Sequence, residues 1–217
     1  MKNETPDNVL DLEPNSKPYL LKRIISDGFD TVVIFLLFMI LSVAVFNTPV
    51  SQTYNRHYGR CIEIENEAAE QFGDDADAIK AALRDNKEYQ DEKFAVNIHG
   101  YLLMLIAGFI AEAAVLLVFP LIAPYRATPG KMMTKIVPFS PKKQTMIARP
   151  VLIARFAFVF ILDSAFIYLY AGRFTFLIVP VIRLTELLLS KKNKTICDFL
   201  TGTMMVEQMS YAGIENN

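Results

Sequence analysis

The sequence predicts an all-α integral membrane protein: a helical bundle with about four transmembrane helices and a partly helical extramembrane loop. Three observations predict it. The 217-residue chain is 53% hydrophobic, above the roughly 45–50% of ordinary soluble domains. That excess is gathered into blocks long enough to matter for a bilayer. Lys and Arg collect in the connections that a four-span topology places on one side.

The first 18 residues, MKNETPDNVLDLEPNSKP, are polar and rich in Pro and Asn. They lack the cationic start and apolar core of a signal peptide and read as a short disordered cytoplasmic tail. A membrane domain is expected over residues 19–206, followed by a flexible tail over 207–217. Apolar segments lie at about 24–46, 96–122, 150–170 and 174–190. A helix needs roughly 20 residues to cross the hydrocarbon core. The first three segments meet that length. The fourth, "FTFLIVPVIRLTELLLS", is short and contains Pro180, Arg183 and Glu186.

Basic residues set the expected orientation. Lys17, Lys22 and Arg23 precede the first segment. Arg126, Lys131, Lys135, Lys142, Lys143 and Arg149 lie between the second and third, and Lys191, Lys192 and Lys194 follow the fourth. With four spans all three groups share a side, so a cell-membrane protein with both termini cytoplasmic is expected. The loop over 47–94 carries 11 acidic and 6 basic residues and belongs outside. Within it, Ile79, Ala82 and Leu83 recur at helical spacing. Gly73-Asp74-Asp75 reads as a helix break followed by an N-cap. One or two extramembrane helices are expected there, the second running into the next span. The acidic cluster has no oxygen-ligand spacing and reads as a solvated surface.

The first span carries its charges into its opening turns: "LLKRIISDGFDTVVIFLLFMI". Arg23, Asp27 and Asp30 are spaced i, i+4, i+7 and fall within about 60° of one another on a helix. An unpaired carboxylate at membrane depth costs roughly 2.5–3.5 kcal/mol on insertion scales. The stripe must therefore face protein or water. Arg23 can pair with Asp27 within the helix. Two readings stay open: an interfacial anchor, with Arg23 on phosphates and the acids as partners of the helix dipole, or a functional polar cavity. Glu112 and Asp163 lie deeper in the second and third segments, with Arg155, Arg183 and Glu186 nearer the cytoplasmic side. A cytoplasmic-leaflet network of Arg23, Asp27, Asp30, Arg155, Arg183 and Glu186 is expected. It serves either as charge-paired glue between helices or as part of a cation or proton route through Asp30 and Glu112.

Three blocks carry a family resemblance. "RIISDGFD" resembles the opening signature of the RDD family, named for one Arg and two Asp. "ATPGKMMTKIVPFS", with Thr128, Gly130 and Lys131, resembles that family's T-x-G-K segment. "KNKTICDFLTGTMMV", with Asp198, Gly202 and Thr203, resembles its closing block. Order and spacing match from Tyr19 to Val206, the outer loop excepted. Cys197 stands where the closing block usually has His. The resemblance implies a multi-span membrane domain, with transport proposed for some members only. Two functions follow as expectations: a small ion-coupled transporter exchanging a cation for a proton, or a non-catalytic membrane scaffold or assembly partner.

Thr128-Pro129-Gly130-Lys131 lacks the flanking residues of a phosphate loop, and Gly130 is expected in a tight turn. Lys131, Lys135, Lys142 and Lys143 are expected as a basic surface for anionic headgroups of the lipid bilayer. "KIVPF" and "TMMVE" are short and partly β-branched and are expected to pair as strands. Ala107, Ala111 and Ala113 offer a small-residue face for a homo-oligomer or another membrane protein. His57 and His99 read as isolated residues. Cys61 and Cys197 fall on opposite sides of the membrane, which excludes a disulfide within the chain. Neither the paired-metal spacing, nor a Ser-His-Asp order, nor a nucleotide loop is present. The sequence therefore assigns no enzyme activity, catalytic residue, cofactor, metal or nucleic-acid partner.

Overall fold

The computed structural model describes residues 20–140, 145–161, 175–190 and 194–207, and it is mostly helical. Helix α1 covers Leu20–Phe46. Nothing in its run of Leu, Ile, Val and Phe breaks a helix before Pro49. Thr48, just ahead of that proline, is extended at φ −97° and ψ 165°, as a residue before proline prefers. The Ser51 hydroxyl donates to the carbonyls of Phe46 (2.7 Å) and Thr48 (2.8 Å), closing the turn.

Two helices follow, α2 (Gln52–Phe72) and α3 (Ala76–Asp85). Gly73 ends α2 at φ +59°, a conformation that costs glycine little. Asp75 then caps α3, accepting from the amides of Asp77 (3.1 Å) and Ala78 (3.0 Å), as the sequence predicts. Asn86 closes α3 and caps the next helix through the Tyr89 amide. That helix, α4 (Lys87–Ala113), packs its first turns on α2 around Cys61, Ile64 and Tyr89. His57 and His99 are not isolated. Their rings stack at 5.4 Å, and His57 pairs with Glu92.

Beyond α4 the chain winds through a π-helical turn at Ala114–Val118 into α5 (Phe119–Ile122). The widened turn lies directly ahead of Pro120, which has no N–H for the preceding turn and whose ring crowds it. Among the described residues, two helices are long and apolar enough to cross a membrane: Leu20–Phe46 and the continuous Lys87–Ile122. They meet along Ile34 and Phe38 of α1 and Ala107, Ala111 and Val115 on the other side. Ala107 and Ala111 are fully buried in this seam. The expected oligomer face is thus used inside the chain, where small side chains let two helices approach closely.

Short elements gather at the opening end of α1. They are α6 (Pro129–Met133), β1 (Ile136–Ser140), β2 (Thr145–Met146), α7 (Arg149–Val159), α8 (Thr175–Leu189), α9 (Ile196–Leu200) and β3 (Met204–Glu207). The strands form an antiparallel sheet in the order β2-β1-β3. Its register sets Val137 opposite Val206 and Phe139 opposite Met204, so the expected pairing of "KIVPF" with "TMMVE" is present. Val137, Phe139 and Val206 form its buried core. The fold is therefore helical with one small sheet. Asp163, Lys142, Lys143 and the tails lie outside the described residues.

Candidate functional site

The helical period of α1 buries Arg23, Ser26, Asp30, Ile34 and Phe38 on one face. The lower half of that face is polar, and the groups that meet it lie 98 to 175 positions further along the chain. Asp30 is 2% exposed and is met by the T-P-G-K segment. The Thr128 hydroxyl donates to Oδ2 of Asp30. The Gly130 amide donates to Oδ1 at 2.7 Å. The Lys131 ammonium lies 3.5 Å from Oδ2 and 3.6 Å from Asp27 Oδ1.

Asp30 thus caps α6 from another helix. Pro129 supplies the first helical position, where no N–H is needed, and the next amide, that of Gly130, reaches the carboxylate. The sequence reading of Gly130 as a turn residue is corrected here. Gly130 sits within α6, and a Cβ on it would overlap the Ser26 carbonyl and stand 3.0 Å from Asp30 Oδ1. Glycine is required because α6 lies directly on the α1 backbone. Lys131 also departs from expectation. Its side chain is 12% exposed and turned inward on two carboxylates, so it does not belong to a free basic surface.

Asp198 is the second centre. It is fully buried in α9. With Thr195 it forms a capping box, each side chain accepting from the other's amide. Arg23 Nη2 donates to Oδ2 at 2.8 Å, and Arg155 Nη1 to Oδ1 at 2.7 Å. The expected Arg23–Asp27 pair inside the helix is replaced by this longer-range one. Arg155 also reaches the Thr203 hydroxyl. Gly202, at φ +62°, supplies the left-handed turn that lets Thr203 return its amide to the Asp198 carbonyl at 2.9 Å. Cys197 donates its thiol to the Arg155 carbonyl at 3.4 Å. Burial opposes the Asp198 charge, yet the guanidiniums of Arg155 and Arg23 outweigh it and hold the carboxyl well below the usual range.

The expected cytoplasmic network is therefore brought together in a different pairing. Lys131 joins Asp27 to Asp30, and Asp198 joins Arg23 to Arg155; sequence reasoning treated Asp198 as a motif position and Lys131 as a motif position and part of a basic surface. Their signal was present in the motifs, since a buried helix-mouth carboxylate needs a donor from outside its own helix. Arg183 borders the same region, sharing a cavity wall with Arg23, Asp27 and Arg155. Glu186 accepts from the Ile196 amide at 3.3 Å and so receives the start of α9. Glu112 is buried on α4 at 4% exposure, next in sequence to Ala111 of the apolar seam.

Arg126 completes the wall. It and Tyr125 hold left-handed backbone at φ 52° and 60°, which costs a non-glycine residue energy and persists where surroundings fix it. Its guanidinium donates to the Ile147 carbonyl. Among the described residues, no group of three or more His, Cys, Asp or Glu is placed to hold a metal ion.

No family model, curated protein or solved structure matches this chain. The arrangement must be interpreted from its own chemistry. That chemistry is a set of carboxylates neutralised by arginine, lysine and amide donors, all drawn from segments distant in sequence. Such a set fixes elements against one another.

Proposed function

We propose that this chain is an RDD-type multi-pass membrane protein of four spans, in the cell membrane, with both termini cytoplasmic. In this reading its charged cluster is a structural latch, and the protein acts as a non-catalytic membrane scaffold or assembly partner. The observation that carries the reading is the engagement of Asp30 and Asp198. Asp30 receives three donors from residues 128–131. Asp198 receives two arginines and its own capping amide. A carboxylate so fully matched is held in place, whereas a carrier carboxylate must exchange partners during each cycle. The latch ties α6, α9 and the sheet to the base of α1, and the outer α2–α3 unit is left as the surface for a partner.

Flux measurements on the purified full chain in proteoliposomes test this. No sodium- or proton-coupled flux above protein-free vesicles is expected. Cation-dependent proton movement that vanishes in the Asp30→Asn variant while folding is retained would overturn the latch reading.

One observation favours the second reading, cation/proton exchange. Glu112 is buried in a span, and the π-helical turn starts two residues later. Such turns often mark functional positions. Under that reading Glu112→Gln abolishes flux and Asp30→Asn lowers folding stability alone.

A further inference from the structure

His57 and His99 meet where α2 packs on α4. His57, Cys61 and Ile64 recur at i, i+4, i+7, and Glu92, Val96 and His99 do the same. One face of each helix therefore delivers an imidazole to the seam. The two ring centres lie 5.4 Å apart, with the planes tilted by 26°.

The neighbours fix the ring protons. His57 Nδ1 meets Glu92 Oε2 at 2.5 Å, and His99 Nδ1 meets the Ala95 carbonyl at 2.8 Å. An ionised carboxylate and a carbonyl only accept, so each Nδ1 carries a proton. In the neutral imidazole the lone pair then sits on Nε2. Among the described residues, neither Nε2 has a hydrogen-bond partner. Both residues are half-buried, so solvent reaches them.

We propose that His57 and His99 bind one divalent ion of the zinc, copper or nickel class through their Nε2 atoms, with water in the remaining positions. Three features point there. Imidazole is a ligand those ions favour. A ligating histidine characteristically gives its other N–H to a carboxylate or a backbone carbonyl, which fixes its tautomer and raises its basicity. One ring here has the first partner and the other ring the second. The spacing also fits: with metal–nitrogen bonds of about 2.0–2.1 Å, two imidazoles on one tetrahedral ion have ring centres roughly 5 Å apart. Binding turns the near-parallel rings toward a common point, a side-chain movement that leaves both helices in place. Glu92 sets a carboxylate beside the pair, while Arg60 is engaged by Glu63 and Glu88 and Lys93 lies over the Tyr89 ring. The bound ion clamps α2 to α4, away from the Asp30 and Asp198 contacts, so the inference does not depend on the scaffold reading.

The test uses the full chain purified without a histidine tag, in uncharged detergent. Zn²⁺ should raise the melting temperature, and Mg²⁺ at the same concentration should not. Cu²⁺ bound to the wild type should show two coordinated imidazoles by electron spin-echo spectroscopy. His57→Gln and His99→Gln should each abolish the zinc effect and the two-imidazole signature. Glu92→Gln keeps both ligands and should weaken zinc binding by about tenfold to a hundredfold, the usual effect of losing a histidine's carboxylate partner. Cys61→Ser should bind as the wild type does. The imidazole count is read on the wild type and stands even where a variant fails to fold. Absence of a zinc effect, magnesium matching zinc, fewer than two imidazoles on copper, wild-type binding in both histidine variants, or loss of binding in Cys61→Ser would each overturn the proposal.

Discussion

Arg23 and Asp198 stand 175 positions apart in the chain and 2.8 Å apart in space, both almost fully buried. With Arg155 on the other carboxylate oxygen, Asp198 joins α1 and α7 to α9. Removing one partner from a buried pair costs about 3–5 kcal/mol, because the other charge stays buried and unmatched. Asp198→Ala is expected to lose stability on that scale in denaturant unfolding of the detergent-solubilised protein. A cycle with Arg23→Met should show coupling of about 0.5–3 kcal/mol. Strict additivity would mean that the pair contributes nothing.

Acid sensitivity follows from the same carboxyl. Its folded-state pKa is depressed, so its contribution to stability is fully present above the unfolded carboxylate value of about 3.9. That contribution is lost as pH falls from there towards the folded value. Wild-type stability from this group should hold through mild acid and decline only below about pH 4. The decline should be shallower in Asp198→Asn, followed by unfolding at several pH values. A wild-type loss centred near neutral pH would point to another group.

Two glycines on neighbouring elements should respond oppositely to alanine. A Cβ at Gly130 meets the Ser26 carbonyl and Asp30, whereas nothing lies within 4 Å of one at Gly28. Gly28→Ala removes a helix-interior glycine and should stabilise by about 0.5–1 kcal/mol. Gly130→Ala must push α6 off α1 and break the Gly130–Asp30 bond. A loss of more than about 2 kcal/mol is expected. Equal responses in thermal unfolding would contradict the close approach.

Much of this was legible in the primary structure, and the limits are physical. Helical periodicity placed Arg23, Asp27 and Asp30 on one face, because 100° per residue fixes direction within a helix. Local chemistry placed the break at Gly73 and the cap at Asp75, since both act within a few residues. Short length and partial β-branching point to strand pairing of "KIVPF" with "TMMVE". Periodicity does not say which distant segment meets a face. Arg23 was therefore assigned to Asp27, four residues away, rather than to Asp198. Gly130 was read as a turn because close backbone approach leaves no local trace. Ala107 and Ala111 were assigned outward because a small-residue stripe looks the same whether its partner is another chain or α1.

Cysteine labelling tests the proposed topology. Cys61 is buried, and burial together with Glu92 and Glu65 pushes its thiol pKa up. A thiol held protonated reacts slowly with maleimide. Cys197 is buried as well, so the native background should be low in intact cells. A cysteine introduced at Glu70, exposed on α2, should be labelled by a membrane-impermeant maleimide added outside. One introduced at Met133, exposed at the end of α6, should be labelled only after lysis. The two positions flank the candidate span Lys87–Ile122, so a bilayer crossed once between them must separate them. Labelling of both from outside, or of neither before lysis, would show that this helix does not cross the membrane as proposed. Reversed accessibility would keep the crossing and invert the orientation, against the expectation from the basic residues after Ile122.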